Sequence, residues 1–248
     1  MSSSLGSQTA MNGFANEDDI VKRFNSWQTD TEARMWIEIM GYDLNKIESV
    51  TAVKLPRQYK SDINVKIVIK LKDAIDNENI QVKLVSNEKG FNQIDRRWLA
   101  KCVEQWEMPS DVLHIMQLFT GEVKHSYKDT KETKRLFLNE LSQEDQKVII
   151  DWFTENKFLV VSDVIKGRGE FSVEWYLVAQ KTTSNSRWVL KNINQVLNHY
   201  SIGDVVIKAQ GSLRIGRVDV QRKGGDGGRD SANQLQFKID PTELFDIH

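Results

Sequence analysis

The sequence has little of the chemistry that stabilises small secreted proteins or builds zinc sites. Its single cysteine, Cys102, excludes a disulfide within the chain. Because Cys102 falls in an apolar helical pattern (WLAKCVEQW), we interpret it as a packed thiol rather than a nucleophile. The histidines are scattered without ligand spacing, and no CxxC, HExxH or Walker pattern is present. These absences argue against a disulfide scaffold, a zinc or histidine-metal nuclease and an ATPase.

Long apolar runs are also missing. No stretch approaches the roughly 20 residues that a membrane-spanning helix requires. The first eight residues are rich in serine and lack the apolar centre of a signal peptide. Together with the lone thiol, these features lead us to expect a protein of the reducing cytoplasm.

Neither sign of charge is in excess. The 34 Lys and Arg residues nearly balance the 35 Asp and Glu residues, and the net charge is −1. A general attraction to nucleic acid is therefore absent, and any DNA contact has to come from local clustering of cations. A hydrophobic content of 40% is enough for a core in one large domain or two small ones. Because repeats and long linkers are missing from the sequence, we predict one intertwined α/β unit.

Two predicted strands carry the most informative side chains. Residues 64–71 alternate between polar and apolar types, and residues 80–85 read as a second strand. Because side chains alternate along a strand, we expect Gln81 and Lys83 to point to one side and Val82 to the other.

An acid precedes the first of these strands, and Asp62 can join Gln81 and Lys83 if the two strands pair. A carboxylate, an amide oxygen and an ammonium together could bind Mg²⁺, orient a water and neutralise a phosphate. The alternative is a solvated strand face, since charged and amide side chains are mostly exposed in proteins.

The loop after the second strand ends in Gly90, Phe91, Asn92 and Gln93. An aromatic side chain at a loop tip beside amides suits a wedge between base steps, with the amides reading or replacing bases. The same residues equally allow a hydrophobic staple, in which Phe91 packs on a helix capped by Asn92.

Cations near these segments are weaker candidates for phosphate contacts. Arg97 lies on a helix that we predict over residues 92–106, where it could equally belong to the solvated face. Arg168 is flanked by two glycines in the sequence KGRGEF.

A C-terminal hairpin is the better candidate for contact with DNA. Its first strand alternates Arg217, Asp219, Gln221 and Lys223 with valines, and its second strand alternates Gln234, Gln236 and Lys238 with apolar residues. One face is therefore polar, and a glycine-rich loop with Arg229 follows the first strand. Arg, Lys and Gln suit the base edges of a G·C-only site. On the residues alone, an ordinary half-exposed hairpin is the favoured alternative.

Several uncommon strings carry a resemblance to a known family, namely SDIN, NIQVKLVSN, GFNQID, GRGEF, RWVLKNIN and GRVDVQRKGGDGGRD. A helix, a strand with Asp, a strand with Q-x-K and a helix, in that order, resemble the core of the PD-(D/E)xK nucleases. Over essentially its whole length, the chain resembles the GCGC-recognising type II restriction endonucleases of the MspI-like branch.

The resemblance implies an α/β restriction-endonuclease-like core, with a mixed β-sheet flanked by helices and a C-terminal β-hairpin region that reads DNA. It implies a single domain over residues 1–248, with a catalytic region near 14–106 and a recognition region near 157–240. It also implies Mg²⁺-dependent cleavage of duplex DNA at GCGC after the first G, and a companion DNA methyltransferase in a bacterial host. The oligomeric state stays open between monomer and homodimer.

The resemblance also assigns roles at the catalytic site. Asp62 would ligate Mg²⁺ directly, and Gln81 would occupy the position that usually holds an acid, with the Val82 carbonyl as a further ligand. Lys83 would position the attacking water or stabilise charge on the phosphate, and Ser61 would bond a phosphate or a metal-bound water.

Glu17, on the first predicted helix, could reach this site and help to orient it. The slightly favoured alternative is that Glu17 is a favourable charge at the start of a helix capped by Asn16. The residues that we expect to contact DNA are Phe91, Asn92, Gln93, Arg97, Arg168, Gln221, Arg222, Lys223, Arg229, Gln236 and Lys238. The rival functions are a repair nuclease of the same superfamily and a DNA-binding protein without catalysis.

Other patterns predict the rest of the elements. The predicted helices are 31–40, 109–119, 129–141, 142–156 and 187–200. The predicted strands are a hairpin of 158–165 with 171–180, followed by strands near 205–208, 212–221 and 234–239. Irregular segments are predicted at 1–13, as a flexible tip, and at 73–79, as a turn.

Overall fold

The computed structural model describes residues 2–55, 64–71, 74–183, 185–224 and 230–247. In these ranges the α-helices are α1 (Ser2–Asn25), α2 (Thr31–Ile39), α3 (Leu99–Trp106), α4 (Ser110–Thr120), α5 (Gln143–Glu155), α6 (Lys157–Ile165) and α7 (Ile193–Ser201). The strands are β1 (Ile47–Lys54), β2 (Asn64–Leu71), β3 (Ile75–Val85), β4 (Asn92–Arg97), β5 (Trp175–Lys181), β6 (Ser186–Asn192), β7 (Val205–Ile207), β8 (Leu213–Ile215), β9 (Val218–Arg222) and β10 (Leu235–Ile239). Three predicted site residues, Ser61, Asp62 and Arg229, lie outside the described residues.

The chain divides into two compact units, each built from separated segments. Unit 1 consists of Met1–Asn92, Lys166–Val196 and Asp240–His248, and unit 2 consists of Gln93–Ile165 and Leu197–Ile239. Described strands form one five-stranded sheet in the order β1-β2-β3-β5-β6 and another in the order β4-β10-β9-β8-β7.

The sheet of unit 1 is mixed. Strands β1, β2 and β3 pair antiparallel, β3 pairs parallel with β5, and β5 pairs antiparallel with β6. Ile80 and Val82 of β3 lie in the same buried cluster as Phe24 of α1 and Trp36 of α2. The rings of Phe24 and Trp36 are 5.3 Å apart between centroids. Since burying a side chain of this kind contributes roughly 1.5–3 kcal/mol, this cluster fixes the inner face of β3.

Local signals explain α2. The Asp30 side chain accepts a hydrogen bond from the backbone N–H of Ala33 at 2.9 Å, which caps the helix start. The helix ends at Ile39, and Gly41 follows with φ of 95°, a conformation that favours glycine. The predicted helix over 31–40 is therefore confirmed.

The sheet of unit 2 is antiparallel through β7, β8, β9 and β10. The turn between β8 and β9 requires Gly216, because a Cβ atom at this position would lie 2.5 Å from the carbonyl oxygen of Tyr200. Trp106 of α3 meets Phe237 of β10 edge to face, with ring centroids 5.9 Å apart. The C-terminal hairpin predicted from alternation is confirmed as β9 and β10, and the mixed α/β class is confirmed as well.

The N-terminal prediction is wrong. Helix α1 begins at Ser2, so residues 2–13 belong to the helix rather than to a flexible tip. Asn16 is buried in the middle of the helix and does not cap it. Because no proline interrupts residues 2–25, the helix can extend back to Ser2. The prediction missed this extension because the residues before Asn16 are mostly small or polar and show no clear helical pattern.

At several other segments the sequence-based prediction gave a helix where the structure has a strand, or a strand where it has a helix. The predicted helix over 92–106 is strand β4 followed by α3, and the predicted helix over 187–200 is strand β6 followed by α7. The valine-rich segment predicted as the strand 158–165 is helix α6. Its buried residues Val160, Val161, Val164 and Ile165 follow helical spacing, which outweighs their β-branched propensity.

Three smaller corrections follow from pairing. Strand β1 was not predicted, and β3 begins at Ile75, so most of the predicted turn at 73–79 is strand. The segment 129–141 is irregular apart from a 3₁₀ turn at Leu138–Glu140, rather than an α-helix. In each case pairing or packing with residues far along the chain decides the outcome, and local propensity does not contain that information.

Candidate active site and nucleic-acid interface

Strand β3 places Gln81 and Lys83 on one face and Val82 on the other, as alternation requires. Val82 lies in the buried cluster of unit 1, whereas Gln81 is buried on the other side of the strand and Lys83 is half-buried. The Gln81 Nε2 donates a hydrogen bond to the Val82 carbonyl oxygen at 3.3 Å. The two groups predicted to share a metal ion are therefore adjacent, and the buried position excludes the solvated-face alternative for Gln81.

Strand β2 approaches the same position. Asn64 of β2 pairs with Gln81, and Asn64 follows Asp62 by two residues in the chain. On the other side of β3, Tyr176 of β5 pairs with Gln81 in the parallel register. Gln81 therefore lies on a central strand of the sheet, where its backbone is held by two neighbours.

Glu17 of α1 is a second buried polar group in unit 1, with 2% of its surface exposed. Its Oε2 lies 3.6 Å from the Nζ of Lys54, and among the described residues Oε1 has no hydrogen-bond partner. Burial raises the pKa of Glu17 to about 8, although Lys54 and, more weakly, Lys83 act in the opposite direction. The alternative that Glu17 is a charge at a helix start is wrong, because Glu17 lies inside α1.

The loop after β3 is held by one amide side chain. The Nε2 of Gln180 donates to the carbonyl oxygens of Asn87 at 2.8 Å and Glu88 at 3.0 Å, and its Oε1 accepts from the Nε of Arg187 at 2.7 Å. The Arg187 guanidinium in turn lies 4.0 Å from the centroid of the Phe245 ring. The loop leading to Phe91 is thus held by Gln180 of β5, which Arg187 of β6 supports in turn.

Phe91 itself is 55% exposed, and Asn92 and Gln93 are half-buried at the start of β4. Because Asn92 begins a strand rather than a helix, the staple alternative is wrong. The exposed Phe91 side chain keeps the wedge between base steps as our prediction.

The polar face of the hairpin forms as predicted. Gln221 of β9 pairs with Gln236 of β10, and Asp219 pairs with Lys238 two residues further along. Apolar residues of β10, such as Phe237, alternate with them and are buried. Two amides and a cation therefore lie close together on one half-buried face.

Comparison with known proteins places this chain in a family. Residues 40–245 match the family model "R.HinP1I restriction endonuclease". The chain belongs to the R.HinP1I restriction endonuclease family. It is therefore a type II restriction endonuclease, and the resemblance noted from the sequence is confirmed at the level of the family.

The fold agrees with that family. The structure is similar to the crystal structure of restriction endonuclease MspI in complex with its cognate DNA, with a TM-score of 0.65. The sequences are 12% identical, and the match covers 95% of this chain and 92% of that chain. Comparison with curated protein sequences gives no match.

Two arginines predicted to contact DNA, Arg97 and Arg222, are instead buried and bound to groups within the protein. The Arg97 guanidinium is buried and forms ion pairs with Asp95 and Asp163, and it also donates to Gln105. Burial disfavours its charged form, but Asp95 and Asp163 outweigh burial and raise the pKa of Arg97. A guanidinium bound in this way cannot serve a phosphate on the surface.

Arg222 is similar. Its side chain is 6% exposed and lies 2.9 Å from a Glu132 carboxylate oxygen. Its Nη1 donates to the carbonyl oxygens of Phe119 at 3.1 Å and Leu136 at 2.8 Å, and the guanidinium lies 4.0 Å from the centroid of the Phe137 ring. We therefore assign Arg222 to the core of unit 2 rather than to DNA.

Two other predicted contacts, Lys223 and Arg168, are accessible to different degrees. Lys223 is half-buried, with its Nζ 3.5 Å from the Ser231 Oγ. Arg168 is exposed between Gly167 and Gly169, which have φ of 80° and 77° and so form a sharp loop. These residues stay candidates for phosphate contacts.

Sequence reasoning missed the buried support around the site. Gln180 has one signal, an amide inside the apolar strand WYLVAQK, but its partners 93 and 92 residues away could not be inferred.

Within the described residues, no group of three or more His, Cys, Asp or Glu side chains is arranged to hold a metal ion. In the same part of the chain, none of the helices has the length and apolar character needed to cross a membrane.

Proposed function

We propose that this endonuclease cleaves duplex DNA at GCGC after the first G, leaving 5′ overhangs, by Mg²⁺-dependent hydrolysis of phosphodiester bonds. The observation that carries the proposal is the arrangement on β3. Gln81 and Lys83 share one face of a central strand, and β2 brings the chain that follows Asp62 alongside Gln81. Glu17 adds a buried carboxyl group whose environment includes Lys83.

The residues at this position suit Mg²⁺, which prefers oxygen ligands. The side-chain oxygen of Gln81 and the carbonyl oxygen of Val82 would supply two of them, and we propose Asp62 as the charged ligand. Since Gln81 replaces the usual acid, the site has one negative charge fewer than a pair of carboxylates would give. When bound, Mg²⁺ supplies Lewis acidity that polarises the scissile phosphate and lowers the pKa of a water.

The protein groups then carry out the transfer. We propose that Lys83 orients the attacking water and stabilises the negative charge that develops on the phosphate oxygens. The water oxygen attacks phosphorus in line, the bond from phosphorus to the 3′ oxygen breaks, and a proton goes to that oxygen. The products are a 5′-phosphate and a 3′-hydroxyl. Ser61 would hold a phosphate oxygen, and Glu17 would orient Lys83 or a water.

DNA recognition belongs in this proposal to the loop with Phe91, Asn92 and Gln93 and to the polar hairpin face. Gln221, Gln236 and Lys238 would contact base edges, while Arg168, Lys223 and Arg229 would contact phosphates. A restriction role in a bacterial cytoplasm also requires a methyltransferase that protects GCGC in the host genome. We propose that the chain forms one endonuclease domain, in which residues 14–106 carry out cleavage and residues 157–240 recognise the DNA.

Incubation with a sequenced plasmid and Mg²⁺ tests this proposal. Discrete fragments whose ends map to GCGC are expected, and prior methylation of GCGC should block them. Random degradation would indicate a nuclease without site specificity, whereas DNA binding without cleavage would indicate a protein that only binds. Lys83→Ala is the negative control, because it removes the proposed catalytic ammonium without changing the recognition surface.

A further inference from the structure

Three charged residues on neighbouring strands of unit 2 form a row on the polar face of the sheet that contains the C-terminal hairpin. Arg214 of β8 pairs with Asp219 of β9, and Asp219 pairs with Lys238 of β10. Residues paired across neighbouring strands share a face of the sheet. The row therefore lies on the same face as the paired amides Gln221 and Gln236.

Asp219 is the centre of this row and is itself buried, with 1% of its surface exposed. Its Oδ1 lies 2.6 Å from the Nε of Arg214, and its Oδ2 lies 2.9 Å from the Nζ of Lys208. Burial alone would raise the pKa of Asp219, but Arg214 and Lys208 outweigh it and lower that pKa below its usual value. Asp219 is thus a buried carboxylate that holds one cation on each oxygen.

The geometry restrains Arg214 without burying it. Its side chain is 37% exposed, although its Nε is bound to Asp219. A guanidinium fixed through Nε has lost much of its rotamer freedom before any ligand arrives, so that binding orders it at less cost. Arg222 of β9, by contrast, is bound inside unit 2, with its side chain only 6% exposed.

A guanidinium on the same sheet face as two amides suits the major-groove edge of guanine. Guanine presents the acceptors O6 and N7, which an arginine fork reads in a bidentate way. Each strand of a GCGC site contains two guanines. Resting on the function proposed above, we infer that Arg214 reads a guanine of the recognition site and that Asp219 is the positioning residue that holds its guanidinium.

Duplexes with 7-deazaguanine test this inference, because that analogue lacks the N7 acceptor and keeps Watson–Crick pairing. Affinity is measured by fluorescence anisotropy without Mg²⁺ for GCGC, for a scrambled site and for GCGC with each guanine replaced in turn. We expect wild-type protein to lose about 10- to 100-fold in affinity at the guanine that Arg214 reads.

The variants separate reading from folding. Arg214→Lys keeps a cation beside Asp219, so it should fold, but it should bind GCGC about 10- to 100-fold more weakly and be insensitive to 7-deazaguanine at that position. Asp219→Asn should weaken the discrimination between guanine and 7-deazaguanine at that position, although Arg214 itself is unchanged. Lys147→Ala removes an exposed cation of α5 that pairs with Asp151, and it should keep the wild-type discrimination.

The outcomes separate this inference from the proposed function. A wild-type protein that binds GCGC and the scrambled site equally would contradict the proposed recognition of GCGC. A folded Arg214→Lys variant that keeps the full 7-deazaguanine effect would overturn the role of Arg214. An Asp219→Asn variant with undiminished discrimination would overturn the positioning role alone.

Discussion

Gln180 on β5 holds the loop after β3 through the carbonyl oxygen of Asn87, with the amide nitrogen and that oxygen 2.8 Å apart. The same nitrogen also donates to Glu88, and Arg187 donates to the other end of the amide. One buried side chain of β5, the strand that pairs with β3, therefore holds the loop that ends at Phe91. This contact links the proposed site of cleavage to the proposed wedge.

Replacing Gln180 with leucine should leave two loop carbonyls without their donor. Because each lost hydrogen bond costs about 0.5–1.5 kcal/mol, we expect a lower free energy of unfolding and a more mobile loop. DNA bending, measured by energy transfer between dyes at the duplex ends, should fall together with kcat. Gln195→Leu is the matched control, because Gln195 accepts from the Asn192 backbone N–H instead. Equal bending by wild-type protein and the Gln180 variant would remove Gln180 from this role.

Phe91→Ala tests the wedge directly. Because Phe91 is exposed, its loss should change the melting temperature little, while bending and cleavage of GCGC should fall markedly. Tyr127→Ala is the matched control, since Tyr127 is an exposed aromatic residue outside the segments that we assign to cleavage and recognition. A large loss of stability in the Phe91 variant, with normal bending, would argue that Phe91 packs within the protein.

Alternation along strands is what sequence reading captured well. Strand β2, the polar positions around Gln81 and the hairpin of β9 and β10 were predicted, because a period of two is visible in a short window. The roles of the arginines were not predicted correctly. Arg97 reads as a surface cation, yet it pairs with Asp163 in a helix 66 residues away.

The supporting contacts were invisible for the same reason. The pairing of Arg214 with Asp219 depends on the register of β8 with β9, and the support of the loop by Gln180 depends on β3 lying beside β5. Strand register follows from packing of the whole sheet rather than from local residues. Sequence can therefore suggest which residues do chemistry, but it seldom shows which residues hold them in place.

Glu17 predicts a dependence of stability on pH. Its pKa is raised from 4.5 in the unfolded chain to about 8 in the folded protein, so the folded state binds the proton more tightly. The stability from this difference is complete below pH 4.5 and is lost as the pH rises towards 8, by up to about 1.4 kcal/mol per pH unit. Glu17→Gln should abolish this loss. Urea unfolding at pH 5, 7 and 8.5 checks the prediction, and a wild-type stability that differs from the variant by a constant amount would contradict it.

Gln81→Glu is the sharpest test of the proposed metal site. The two side chains are nearly isosteric, but a carboxylate would place an oxygen where the Gln81 Nε2 now donates to the Val82 carbonyl oxygen. Two oxygens facing each other repel unless a proton or a cation lies between them. We therefore expect the variant to lose about 1–3 kcal/mol of stability in the absence of metal and to recover it when Mg²⁺ or Mn²⁺ is added.

In cleavage assays, Gln81→Glu should remain active with an altered dependence on Mg²⁺ and Mn²⁺, because the added charge binds the cation more tightly and attracts Lys83. Gln81→Ala should lose most activity, since an oxygen ligand disappears. Asn79→Asp is the matched control: the same change on the same strand, at a buried amide that donates to the Glu170 carbonyl oxygen at 2.9 Å. It should be destabilised without recovery by metal. If Gln81→Ala cuts GCGC at the wild-type rate and with the wild-type metal requirement, Gln81 does not bind the metal, and the ligand set proposed for β3 is wrong at that residue.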